Sequence, residues 1–161
     1  QSTMDLVRKS WENLDIYTAT QALKTFGTGL LPSHYLEMVK SRLYDDDKSA
    51  AWTLHRIVRD FMSAFSPVCP FFTHHVSATV YGASAVEVDA FPASPLPELN
   101  PGTDEGGRLC SLSTTLQDFN GRTWAAKKEA GISLNQPIEN MPIPEALEEF
   151  SATLTRMHQL V

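Results

Sequence analysis

Residues 49–65 read SAAWTLHRIVRDFMSAF, and the placing of their apolar side chains decides the fold class. Leu54, Ile57, Val58, Phe61 and Phe65 recur at intervals of three and four, the spacing that gathers side chains on one face of an α-helix. His55, Arg56, Arg59 and Asp60 fall off that stripe, so the segment is an amphipathic helix with one face to bury. Its limits are set locally. Asp45, Asp46 and Asp47 supply side-chain oxygens for the orphan N–H groups of the first turn, and their charge suits the positive end of the helix dipole. Such a run could also hold a hard cation, but it lacks the spaced ligands and turn glycine of a calcium loop, and capping is the stronger reading. Pro67 disfavours helix at the residue before it and marks the stop.

Working outward, Ile16, Ala19, Leu23 and Phe26 form a second stripe, and Leu36, Val39 and Leu43 a third. Gly27 and Gly29 between them predict a break or kink. MDLVRKSWENL at 4–14 reads as a helix fragment. PFFTHHVSATVYG at 70–82 predicts a helix with Pro70 in its first turn and Gly82 at its end. From 83 to 107 the pattern changes: AVEVDAF alternates like an extended segment, followed by Pro92, Pro95, Pro97, Pro101, Gly106 and Gly107. Helix resumes with Leu109, Leu112, Leu116 and Phe119, and Gly131 is placed to cap it. A last helix opens at Pro144, with Glu145, Glu148 and Glu149 near its start and Leu147, Phe150, Leu154, Met157 and Val161 as its stripe. The expectation is an all-α helical bundle, one domain over 1–161, interrupted by a proline-rich acidic connection at 83–107.

Composition narrows the function classes. With 161 residues and 42% hydrophobic content the chain can bury a core, and 20% charged residues exclude neither folding nor solubility. No stretch approaches the roughly 20 apolar residues of a membrane span, and QSTMDLVRKS lacks the apolar run of a signal peptide, so a cytoplasmic location without membrane attachment is expected. Cys69 and Cys110 belong to no paired motif and are expected to be buried free thiols, Cys69 inert between Val68 and Pro70. The net charge of −6 argues against a surface that is basic throughout. Its distribution is uneven. Residues 82–107 carry Glu87, Asp89, Glu98, Asp104 and Glu105 with no Lys or Arg, whereas 108–131 carry Arg108, Arg122, Lys127 and Lys128 against Asp118 and Glu129.

No phosphate-cradling glycine loop, nucleophile elbow or paired cysteine motif occurs, so no catalytic residue is expected in the chain. His74 and His75 are adjacent and would point about 100° apart on a helix, which suits one packed and one exposed imidazole better than a metal site. Trp124, Lys127 and Lys128 stand at i, i+3 and i+4, placing an indole beside two ammonium groups. Aromatic plus cation suits an unstacked base and its phosphate. The plainer alternative is a core Trp124 with the lysines as a solvated rim.

Longer strings point further. HYLEMVKSRLY at 34–44, with Tyr35, Glu37, Lys40, Arg42, Leu43 and Tyr44, is followed by a helix framed by Pro67, Pro70 and Phe71. Together they resemble the anticodon-binding helical domain shared by the valyl, isoleucyl and leucyl class I synthetases. DFNGRTWAAKKEAGISLNQPI at 118–138, with MPIPEALEEF after it, resembles the archaeal-type valyl members more than the isoleucyl ones. One departure is His74 and His75, where the family commonly has an acidic residue. The HIGH and KMSKS strings of the nucleotide-binding fold are absent, so the resemblance implies a C-terminal fragment of a valine–tRNA ligase. It implies further that the parent enzyme uses ATP and magnesium in separate catalytic and editing domains, with no cofactor in this fragment. The implied partner is a valine-accepting tRNA, bound by a monomer through its anticodon stem-loop, with Lys40, Arg42, Arg122, Trp124, Lys127 and Lys128 as candidate contacts. The competing readings are the same domain of an isoleucyl-tRNA synthetase and a helical protein-interaction module using the acidic segment from Pro92 to Pro101.

Overall fold

In the computed structural model, residues 2–82 and 102–161 are described. The AVEVDAF stretch and Pro92, Pro95, Pro97 and Pro101 lie outside the described residues. The fold is all-α: among the described residues the regular elements are helical, with one isolated bridge between Ile138 and Leu160. The chain forms two compact units, Gln1–Pro97 and Glu98–Val161.

The first unit contains α1 (Ser2–Glu12), α2 (Ile16–Thr25), a π-helical segment (Phe26–Leu36), α3 (Glu37–Tyr44), α4 (Lys48–Phe65) and α5 (Pro70–Tyr81). Val7, Ala19, Leu23 and Ala64 are its buried centre, with Met4, Trp11, Phe61 and Phe65 packed against them. The aspartate that caps α4 is Asp47, whose Oδ1 accepts the Ser49 and Ala50 N–H groups at 2.9 and 3.2 Å. α5 begins on Pro70 and ends on Gly82 at φ +64°, a left-handed conformation that glycine adopts without penalty. Both boundaries follow the sequence expectation.

Of the break or kink expected at Gly27 and Gly29, the break does not occur, although α geometry gives way to π geometry there. Helix runs on from α2 into α3 through the widened π-helical turns, which make room for Pro32, a residue whose ring would crowd the carbonyl four residues back in an ordinary helix. Gly27 serves close approach. A Cβ there would stand 2.7 Å from Cζ of Phe61, a ring stacked on Phe65 at 5.5 Å between centroids.

The second unit contains α6 (Asp104–Glu129), a 3₁₀ turn (Glu145–Phe150) and α7 (Ser151–His158). Its core is Phe119, Leu147 and Leu154, flanked by Leu112, Leu116, Ile143, Phe150 and Leu160. α6 opens where Thr103 Oγ1 accepts the Gly106 N–H at 3.1 Å, so residues 104–107 are helical and the connection expected over 83–107 is shorter at that end. The helix expected from Pro144 to Val161 is divided. Its first six residues tighten into 3₁₀ geometry, and Gln159 turns left-handed at φ +52° after His158. Leu160 and Val161 then run beside Ile138.

Candidate nucleic-acid interface

The candidate residues of the first unit sit on α3 and face solvent. Lys40 lies 3.6 Å from Glu37, and the Arg42 guanidinium holds Asp47 Oδ2 at 2.8 Å through Nε and again through a terminal nitrogen. The same aspartate therefore caps α4 and neutralises Arg42, and the Arg42 guanidinium holds its carboxyl below the usual aspartate range. Exposed pairs of this kind contribute roughly 0–1 kcal/mol, so neither cation is immobilised, but each already has an anion beside it.

The second unit carries the other four, all near the C-terminal end of α6, where cations also suit the helix dipole. Arg122 and Lys128 are exposed, and among the described residues neither has an ion-pair partner. Trp124 is half-buried and stands edge-on to His158, with 5.8 Å between ring centroids. It is thus neither the free stacking platform nor the fully buried core residue that the sequence left open.

Lys127 departs from expectation. Its side chain is 0% exposed, and Nζ donates to the carbonyl oxygens of Leu134 and Gln136, each at 2.6 Å. Burial lowers its pKa. Its neighbour Lys128 points to solvent because a helix rotates about 100° per residue, so the buried Phe119, Thr123 and Lys127 share a face that Lys128 leaves. The cation that spacing assigned to phosphate instead closes the loop that follows its own helix.

Sequence reasoning missed the polar core behind this loop. His158 is 1% exposed, and its Nε2 lies 2.7 Å from Asn120 Oδ1. Facing an amide oxygen, that nitrogen carries the proton, leaving a neutral imidazole. Burial, and secondarily the Lys127 charge, push His158 down to about 4. Phe119 meets the same ring at 5.7 Å. The available signal was the placement of Asn120 and His158 at apolar-face positions of their helices.

Other expectations need correction. His74 and His75 are both exposed, because α5 turns Thr73 and Ser77 inward. Cys110 is exposed and Cys69 half-buried, so neither free thiol is the buried core residue expected. Among the described residues no helix is long and apolar enough to cross a membrane.

Arg122 and Lys128 thus stand exposed on the last turns of an α-helix ahead of a braced loop, without an ion-pair partner among the described residues. The sequence matches the family described as the anticodon-binding domain of tRNA ligase over residues 1–141, and the chain belongs to that family. Among similar proteins, the valine–tRNA ligase of Saccharolobus solfataricus is 29% identical over 129 residues, 80% of this chain and 15% of the relative. That of Aeropyrum pernix is 26% identical over 166 residues, covering 97% of this chain and 19% of the relative. That of Methanosarcina barkeri is 26% identical over 147 residues, 89% and 16% respectively. The chain thus spans less than a fifth of the length of these relatives. No solved structure matches it.

Proposed function

We propose that this chain is the part of a valine–tRNA ligase that grips the anticodon stem-loop of a valine-accepting tRNA. In that ligase, valine would be joined to tRNA at the expense of ATP, with magnesium, in catalytic and editing domains outside this chain. What this chain contributes is position and discrimination, with no bond made or broken on it. A cytoplasmic location and a monomeric ligase complete the reading.

The observation that carries it is the pairing of family membership with the exposed Arg122 and Lys128 on the last turns of α6, neither of which has an ion-pair partner among the described residues. Phosphate contacts give RNA binding most of its affinity and its salt dependence, while base contacts give selectivity. Lys40 and Arg42 form a second patch in the proposal, weaker because Glu37 and Asp47 already offset their charge. Trp124 acts from its half-buried position as a partial stacking surface. The acidic segment of the competing interaction reading lies outside the described residues, and no structural observation favours it.

The Arg122→Ala/Lys128→Ala variant is expected to bind an anticodon stem-loop about tenfold more weakly. The slope of log affinity against log salt should shrink by roughly 1–2, as two single-strand phosphate contacts are lost. Filter binding between 50 and about 200 mM salt measures both. Unchanged affinity and slope would remove these residues from the interface.

A further inference from the structure

The loop after α6 runs from 130 to 144, and its first part is fastened at several points. Gly131 adopts φ +69°, its N–H donates to the Lys128 carbonyl, and the Ile132 N–H donates to the Lys127 carbonyl. These paired bonds satisfy the last carbonyls of the helix and fold the chain back over it. The Gln136 N–H donates to the Ser133 carbonyl at 3.0 Å, and Gln136 Oε1 accepts the Ser133 N–H at 2.7 Å, closing the turn at 133–136. Beneath it, the buried Lys127 ammonium holds two of its carbonyls. At the far end, Ile138 donates to Gln159 and accepts from Val161.

All this polar bracing supports residues that bury almost nothing. Ser133, Leu134, Asn135, Gln136 and Pro137 are exposed, Leu134 at 55%. Among the described residues no group bonds the Asn135 side-chain amide. A buried ammonium is costly to desolvate, and that cost offsets part of what its two hydrogen bonds contribute. An exposed leucine likewise gains little from leaving water. The arrangement makes sense as preorganisation: a turn already held in one shape gives up less conformational freedom when something binds it.

We infer that the 133–136 turn is a preformed contact for an unstacked nucleotide, with Leu134 against the base or ribose face and the Asn135 amide toward a base edge. This rests on the reading that the chain grips an RNA loop. A splayed base offers an apolar face and an edge of donors and acceptors, the two chemistries these adjacent side chains present. Lys128, one turn before the loop and free of any ion pair among the described residues, supplies the charge for the accompanying phosphate. Lys127 is then a positioning residue that touches no RNA.

The test is an anisotropy titration of this chain with a fluorescein-labelled stem-loop carrying a valine anticodon, across a salt series. Leu134→Ala/Asn135→Ala should weaken binding about tenfold with the salt slope unchanged. Lys127→Met should do the same, and Lys127→Arg should retain most of the affinity. Lys128→Ala, by contrast, should flatten the slope. Wild-type affinity in the Leu134→Ala/Asn135→Ala variant would overturn the inference while leaving the role of Arg122 and Lys128 intact. A flattened slope in that variant would also overturn it, by making the turn a phosphate contact. If the unaltered chain fails to bind the stem-loop at low salt, both this inference and the reading beneath it fall.

Discussion

Replacing Lys127 with methionine is expected to destabilise the second unit by about 3 kcal/mol, although the stem length and volume are nearly kept. The ammonium donates to the Leu134 and Gln136 carbonyls at 2.6 Å from a fully buried position. Hydrogen bonds to a charged donor are worth about 1.5–3 kcal/mol each, and because Leu134 and Gln136 are exposed their carbonyls can turn to water once the donor is gone. Relief from burying a charge offsets part of this sum, which keeps the net near the lower end. Urea unfolding, with amide exchange read separately in peptides from 104–161 and from 2–82, measures the effect and locates it. Protection should fall around 127–138 first. If the urea midpoint and the exchange of those peptides stay at wild-type values, Lys127 does not brace the loop.

The second large effect is a loss of stability in mild acid, centred on His158. Its pKa in the folded chain is about 4, against an ordinary value near 6.5 when unfolded. Between those pH values the unfolded chain binds a proton that the folded chain refuses, so stability rises with pH across this window and is complete above about 6.5. Acidifying through it costs up to about 1.4 kcal/mol per pH unit, roughly 3 kcal/mol in all. The physical cause is local. A protonated ring would be an uncompensated charge in a site closed by Phe119 and Trp124 and already facing the Lys127 ammonium. Asp15, Asp47 and Glu105 sit below their usual range because Thr18, Arg42 and Arg108 respectively stabilise the carboxylates, so their contributions fade at lower pH. His158→Gln keeps an N–H for Asn120 and should flatten the profile between pH 7 and 4.5. Parallel profiles for the variant and the unaltered chain would contradict this assignment.

Much of the helical layout was legible because it rests on local chemistry. Asp47, Pro70, Gly82 and Gly131 mark helix ends through capping oxygens, a missing N–H or a left-handed φ, and each such signal is confined to a few neighbouring residues. Where tertiary contact decides, pattern reading fell short. Gly27 looked like a helix breaker, yet the Phe61 ring above it explains its small size. The helix expected to run to Val161 stops at His158, beyond which residues 138 and 160 pair across 22 positions, a contact no window of periodicity contains.

The site was half legible for a related reason. Spacing on α6 correctly grouped Trp124, Lys127 and Lys128, since i, i+3 and i+4 residues are neighbours on any helix. It could not say which side of that group faces the core. Phe119, Thr123 and Lys127 set that side, and Lys127 is thereby turned toward the Leu134 and Gln136 carbonyls. A buried lysine is rare enough that its charge defaulted to solvent in a reading based on residue type. Asn120 and His158 escaped notice likewise, because their partnership joins residues 38 apart in sequence.

The central claim is that this chain recognises an anticodon stem-loop. The direct measurement is equilibrium binding at about 50 mM salt to two stem-loops, one with a valine anticodon and one with a single anticodon base replaced. Tighter binding of the first, by roughly fivefold or more as expected for one lost base contact, is the predicted result. Equal affinity for both, or binding to neither, would contradict it.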